Sequence, residues 1–296
     1  MPFRKICAEL GAKVLFSEMV HAGLLLYGNK KTRKIYLEKS GDYFFGVQIF
    51  GSNPEWIKKA VYVLSQEDGF AWIDINMGCP VRKVVKEGAG VALMLDLEKA
   101  KEIIKAARSA HNGILSVKMR TGWSQNNKNA PELCKIAADE GVDLITIHGR
   151  TREEFYTGPI DFETIAKIKK MVSVPIFGNG GLMTPENVKI MVDETGADGV
   201  MIARGAFGNP WFFRQIEELA NGEKPKKIEI LEKKQVYLRY ANYLFDYYGE
   251  RKALPLAQKA AVFYFKGVEG ASSLRSNIYK TNNFDEISLL LDEYIK

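Results

Sequence analysis

Seven times along this chain a short run of β-branched and aromatic residues stops abruptly and gives way to a stretch with helical periodicity. The runs are Val14–Met19, Phe44–Phe50, Trp72–Asn76, Leu115–Met119, Leu144–His148, Val174–Phe177 and Gly199–Ala203. The helical patterns between them include Pro54–Gln66, Leu97–Ala110, Ala130–Glu140, Phe162–Met171 and Pro185–Glu194. Several open on a cap or with proline in the first turn, as in Asn53-Pro54 and Thr184-Pro185. Regular alternation of this kind is the pattern of parallel βα units. The runs are continuously apolar, so both faces are expected to be buried, as in a barrel or a doubly wound sheet.

After Gly205 the alternation ends. Trp211–Ala220 reads as a last barrel helix, Asn221-Gly222-Glu223-Lys224-Pro225 as a break, and Ile230–Tyr248, Leu254–Phe265 and Phe284–Ile295 as helices with no strand between them. The expected fold is α/β: a TIM-type barrel over residues 1–221, followed by a small all-α domain over 222–296. At 296 residues and 46% hydrophobic content, the chain is large enough for both. A closed barrel of this type has eight strands. The chain opens directly on the helical pattern Phe3–Leu10, closed by Gly11, so the first strand is expected to be missing.

No apolar run approaches the roughly 20 residues needed to span a bilayer, and no signal-peptide pattern opens the chain, so the expected location is cytoplasmic. Cys7, Cys79 and Cys134 lie far apart without CxxC spacing, which argues against a disulfide framework and against a metal site. The net charge of +6 is compatible with a polyanionic partner. Residues 222–296 carry 13 Lys/Arg against 10 Asp/Glu, the same excess as the much longer remainder, so the tail is the more basic part per residue.

In a barrel of parallel strands the chemistry sits at the C-terminal strand ends. Those positions here are Gln48, Asn76-Met-Gly-Cys-Pro80, Lys118 with Arg120, His148 with Arg150, Gly178-Asn-Gly-Gly181 and Ala203-Arg-Gly205. The last two ends suit a phosphate, because small residues let backbone N–H groups approach an anion, and Arg204 adds charge. Each loop is also compatible with a tight turn that needs glycine for conformation alone. Lys118 could stabilise negative charge on a reduced flavin ring; His148 and Gln48 could contact a flat ring or serve the barrel interior. Cys79 lies between glycine and proline just past a strand and is trailed by Arg82, Lys83 and Lys86, cations able to favour a thiolate. Cys7 and Cys134 sit in amphipathic stretches and read as core residues.

The segment Asp74-Ile-Asn-Met-Gly-Cys-Pro-Val-Arg-Lys-Val-Val-Lys-Glu-Gly-Ala-Gly90 resembles the signature of the tRNA-dihydrouridine synthases. Echoes of the same family are Ser17-Glu-Met-Val, Val47-Gln-Ile-Phe-Gly, Val117-Lys-Met-Arg-Thr-Gly-Trp, Ile147-His-Gly-Arg-Thr, Gly178-Asn-Gly-Gly, Met201-Ile-Ala-Arg-Gly-Ala-Phe-Gly-Asn-Pro-Trp, Tyr264-Phe-Lys-Gly and Leu274-Arg. The resemblance implies an FMN-bearing barrel, reduced by NADPH, that passes a hydride to C6 of a uridine in tRNA while a cysteine protonates C5. By motif match that cysteine is Cys79. Gln48, Lys118 and His148 would contact the flavin ring, and Asn179, Gly180, Gly181, Ala203 and Arg204 would hold its phosphate. Asn76 would face the base. Arg82 and Lys83 beside the cysteine, and Lys259, Lys266 and Arg275 in the tail, are expected to contact RNA. A monomer needing no metal is expected.

Two departures accompany the resemblance. Relatives begin with a strand reading like Leu-Ala-Pro-Met-Ala-Gly, then Thr-Asp and a Phe-Arg helix. Met1-Pro-Phe-Arg begins where that helix begins, so weakened flavin binding is expected of the chain as written. Gln258-Lys259-Ala260 stands where relatives often carry a basic-His pair. Two other functions stay open on the residues alone. One is an FMN barrel reductase of a free small molecule, like a dihydroorotate dehydrogenase; the other is a non-catalytic RNA-binding protein. RNA dependence separates the first from a tRNA enzyme, and bound flavin excludes the second.

Overall fold

The computed structural model describes residues 1–28, 37–39 and 41–295; Lys296, the last residue of the expected helical domain, lies outside them. The strands are β1 (Val14–Phe16), β2 (Val20–His21), β3 (Phe44–Phe50), β4 (Trp72–Met77), β5 (Ile114–Arg120), β6 (Leu144–His148), β7 (Ile176–Asn179) and β8 (Gly199–Met201). All pairings are parallel, in the order β1-β3-β4-β5-β6-β7-β8, with β2 also pairing β3. β1 and β2 therefore share one place in the sheet, interrupted where Ser17 Oγ accepts the Gln48 N–H at 3.0 Å. The expected run Val14–Met19 covers β1 and the interruption, and β2 lies just beyond it. Among the described residues β8 pairs only with β7, so seven strand positions form an open barrel, in keeping with the count of seven.

The helices that follow are α1 (Pro2–Glu9), α2 (Ala22–Tyr27), α3 (Pro54–Tyr62), α4 (Arg82–Lys86), α5 (Leu97–Arg108), α6 (Ala130–Asp139), α7 (Phe162–Met171), α8 (Pro185–Thr195) and α9 (Phe212–Ala220). Local chemistry sets their starts. Asn53 caps α3 through Trp56 N–H, Asp161 caps α7 through Thr164 N–H, and Thr184 with Asn187 forms a capping box on α8 before Pro185. Alternate strand residues such as Ile73, Ile75, Met77, Val117, Met119 and Ile147 face these helices and build the main apolar core with Ile57, Ile103 and Ala137. The opposite set, Asp74, Asn76, Ser116, Lys118, Arg120, Thr146 and His148, faces the interior. The period-2 geometry of a strand thus separates an apolar outer shell from a polar lumen.

Four further helices follow: α10 (Ile230–Tyr248), α11 (Glu250–Tyr264), α12 (Ala271–Ile278) and α13 (Phe284–Tyr294). They bury a second apolar cluster around Tyr237, Leu244, Ala257, Tyr264, Phe265 and Leu291. That cluster also takes in Ile6, Cys7 and Ala12 from the start of the chain and Ala206 and Trp211 from beyond β8. Among the described residues, no helix is long and apolar enough to cross a membrane.

Candidate active site

The C-terminal ends of β4 to β8 open onto one cavity of about 290 Å³. Its lining includes Asn76, Cys79, Lys118, His148, Asn179, Gly180, Gly181, Ala203 and Arg204, joined by Arg120, Tyr156 and Met19. A second cavity, about 330 Å³, lies between the start of α1 and the helical cluster and is lined mainly by apolar and aromatic residues together with Lys259. Cations, a thiol and an imidazole converge in the first.

Cys79 sits in a tight turn after β4. Asn76 Oδ1 accepts the N–H of Gly78 at 3.1 Å and of Cys79 at 2.8 Å, an Asx turn that carries the thiol out of the strand line. The turn needs glycine at position 90: a Cβ there would lie 2.8 Å from the Cys79 carbonyl oxygen, and its φ is +60°. The Cys79 thiol is partly exposed to the cavity, whereas Cys7 and Cys134 are fully buried. Burial pushes the Cys7 thiol up to about 12 and raises Cys134 as well, which leaves both inert.

The charge around Cys79 comes from β5. Lys118 and Arg120 line the same cavity, while Arg82 and Lys83 stand exposed on α4, outside it. Burial lowers the Lys118 ammonium to about 8, against the pull of the Asp74 carboxylate. Arg120 is fixed through Nε to the Gly78 carbonyl at 3.0 Å and through Nη1 to those of Thr151 and Phe155 at 2.8 and 2.7 Å. Phe155 has a φ of +54°, and the loop it strains presents Tyr156, whose ring lies beneath both Arg120 and Arg204 at 5.4 and 5.0 Å.

His148 is 8% exposed, and its imidazole is lowered to about 2, first by burial and then by Lys118, Arg120, Arg150 and Arg204. It is a neutral ring at physiological pH, and its buried Nε2 has no hydrogen-bond partner. Directly against it lies Gly180 (φ +104°), where a Cβ would come within 2.8 Å of the ring. The β7 end is therefore a cradle that only glycine leaves open. Asn179 Nδ2 ties it to the Met201 carbonyl of β8 at 2.6 Å. Arg204 borders the cradle, and buried Arg150 Nη1 is likewise unpartnered. An unpartnered imidazole nitrogen against a glycine cradle, with Arg204 at its border, fits an anionic, flat-ringed cofactor with a phosphate.

Gln48 does not line the cavity. Its Nε2 donates to Asp74 Oδ2 at 2.6 Å and its Oε1 accepts from Asn76 at 2.9 Å. Of the tail residues, Lys259 is exposed at the rim of the second cavity, Lys266 is exposed elsewhere, and Arg275 is half-buried on α12. Sequence reasoning gave no role to Asp74, Ser116 or Tyr156. For Asp74 a signal existed: a lone acid inside an otherwise apolar strand needs partners, which only the neighbouring strands supply.

The family described as dihydrouridine synthase matches residues 1–295. A tRNA-dihydrouridine synthase B of Pseudomonas aeruginosa is 36% identical over 285 residues, covering 96% of this chain and 86% of that protein. One from Shewanella oneidensis is 38% identical over 263 residues, covering 88% and 81%. Among solved structures, histamine dehydrogenase from Rhizobium sp. 4-9 superposes with a TM-score of 0.55 at 13% identity, over 81% of this chain and 45% of that one. At that identity the likeness speaks to the barrel fold alone, and this chain spans less than half of that larger protein.

Proposed function

The chain belongs to the dihydrouridine synthase family, and on that premise we propose that it is a tRNA-dihydrouridine synthase: a flavin-dependent enzyme of the cytoplasm that reduces the C5–C6 double bond of particular uridines in tRNA. The observation that carries this reading is that Cys79 and the Gly180–Gly181 cradle open onto the same cavity. FMN, when bound and reduced by NADPH, supplies the hydride for C6 of the uracil ring.

The residues of this chain do the rest. Gly180, Gly181, Asn179, Ala203 and Arg204 hold the cofactor phosphate, with Arg150 Nη1 as a further donor. His148, neutral and with Nε2 free, offers the ring edge a hydrogen bond. Lys118 favours negative charge at the ring, while Gln48, outside the cavity, acts only through its bonds to Asp74 and Asn76. Asn76, with its Oδ1 committed to the Cys79 turn and one Nδ2 proton to Gln48, has one N–H left for a uracil carbonyl. Cys79 gives its proton to C5, and Lys118 and Arg120 stabilise the thiolate until solvent reprotonates it. Residues 1–221 form the catalytic barrel. Residues 222–296 form the RNA-binding unit, with Lys259, Lys266 and Arg275 on phosphates, and the exposed Arg82 and Lys83 of α4 add further RNA contacts. The protein acts as a monomer.

The test is Cys79→Ala. Flavin reduction by NADPH is expected to persist while dihydrouridine formation on tRNA falls by about 100-fold or more, the usual weight of a general acid. Full product formation by the variant rejects the assignment. Turnover of free uridine nucleotides as fast as tRNA rejects RNA as the substrate.

A further inference from the structure

Beneath the cavity, one hydrogen-bonded chain runs from the barrel interior to the Cys79 turn. Trp72 Nε1 donates to Ser116 Oγ at 2.8 Å, and Ser116 Oγ donates to Asp74 Oδ1 at 2.5 Å. Asp74 Oδ2 accepts from Gln48 Nε2 at 2.6 Å, and Gln48 Oε1 accepts from Asn76 Nδ2 at 2.9 Å. Asn76 Oδ1 then accepts both backbone N–H groups of the turn. Three members have no choice of role: an indole and a backbone N–H only donate, and Asp74, which burial pushes up but Ser116, Gln48 and the nearby Lys118 ammonium hold toward the ionised form, only accepts as a carboxylate. Asp74 is fully buried, and each of its oxygens already accepts a hydrogen bond.

We propose that Asp74 is a positioning residue for Cys79, acting through Gln48 and Asn76 to fix which way each amide faces and so to hold the turn that presents the thiol. The carboxylate compels Gln48 to turn its NH2 inward and its oxygen outward. That oxygen compels Asn76 to turn its NH2 away from the turn, leaving Oδ1 for the N–H groups of Gly78 and Cys79. An amide at position 74 removes the compulsion. If its oxygen stays on Ser116, its NH2 meets the NH2 of Gln48, both downstream amides flip, and Asn76 points a donor at two donors. If it turns the other way, the Ser116 proton loses its acceptor, because Trp72 already occupies that hydroxyl as a donor. Either way a buried polar group goes unpaired. The chain can be rebuilt by moving the carboxylate one link along. In D74N/Q48E the new Asn donates to the new Glu, which accepts from Asn76 as Gln48 did.

The effect on turnover rests on the reading of Cys79 as proton donor; the effect on the turn does not. The measurement is amide hydrogen exchange at Gly78 and Cys79 in the full chain, alongside dihydrouridine formation. D74N is expected to speed exchange at both amides by about tenfold, the weight of one missing hydrogen bond, and Q48L to do the same. D74N/Q48E is expected to restore protection to within about twofold, where a variant merely weakened in packing stays unprotected when a second change is added. Unchanged exchange in both D74N and Q48L overturns the proposal, as does a double variant no better protected than a single variant that has lost protection. Should D74N fail to fold, unchanged exchange in Q48L overturns it equally. Exchange that behaves as expected while turnover is indifferent to all three variants upholds the positioning role and overturns the reading of Cys79 as the acid.

Discussion

At the mouth of the open barrel, Asp74, Asn76, Ser116, Arg120 and His148 are buried among hydrogen-bond donors and acceptors; in the helical cluster, Trp211, Tyr237, Tyr264 and Phe265 are buried among one another. The first region is ordered by direction. Along Asp74, Gln48 and Asn76 each donor faces an acceptor, and reversing a single amide propagates along the chain. The second is ordered by volume. Its rings meet edge to face, Tyr237 against Phe265 at 5.2 Å and Trp211 against Tyr264 at 6.1 Å, and Tyr240 stacks on Tyr264 at 6.0 Å. The difference teaches that equal burial does not mean equal tolerance. An isosteric change that swaps an acceptor for a donor is severe in the mouth, and a change of size is severe in the cluster.

The hardest way to break this comparison is Phe265→Ala. It is expected to cost about 3–5 kcal/mol of unfolding free energy, measured by denaturant titration, because the ring is fully buried and the cavity cannot collapse. Exchange at Gly78 and Cys79 under native conditions is expected to stay as protected as before. If that turn loosens too, the two regions are one unit.

Neutralising Lys259, Lys266 and Arg275 together probes the outside of the helical region. tRNA affinity is expected to fall by roughly tenfold or more, and the log–log salt slope to flatten by about 0.7–0.9 for each phosphate that is no longer neutralised. Flavin binding should not change. An unchanged slope removes this face as the RNA surface.

Lys118→Met tests the charge of the mouth. Flavin is expected to bind about tenfold more weakly, the weight of a charged hydrogen bond. Because burial lowers the Lys118 ammonium to about 8, its charge is present below that pH and lost above it. Flavin affinity of the unaltered protein should therefore fall as pH rises through about 8, and the variant's should not. A parallel pH dependence in both would assign the titration elsewhere.

The smallest expected effect concerns acid. His148 is lowered to about 2 in the folded chain, against an ordinary value near 6.5, so the unfolded state takes up the proton first. Its contribution to stability is full above that ordinary value and is lost as pH falls below it. Comparing unfolding midpoints at neutral and mildly acid pH, His148→Gln should lose less than the unaltered protein. Equal losses would mean that the carboxylates alone set the acid limit.

The sequence by itself determined the parallel βα order, the polar strand ends and the special place of Cys79, because strand periodicity and turn chemistry are local. Asn76-Met-Gly-Cys-Pro reads as a turn wherever it stands, while the glycines at 180 and 181 read equally as an anion loop or as a tight turn. Local signals also marked most helices, though the short α2 and α4 and the uncapped α12 went unread. What the tertiary structure decided is everything that depends on register. Pairing sets Gln48 beside Asp74 and Asn76 beside Lys118, so the cations near the thiol come from β5 and not from the Arg82-Lys83 pair that follows it in the chain. The same pairing turns Asp74 from one acid in an apolar run into the acceptor that orients two amides. Packing likewise sends Ile6 and Cys7 from the opening helix into the cluster of the last four. Such partners lie tens of residues apart or more, and only strand pairing and helix packing bring them to hydrogen-bond or van der Waals distance.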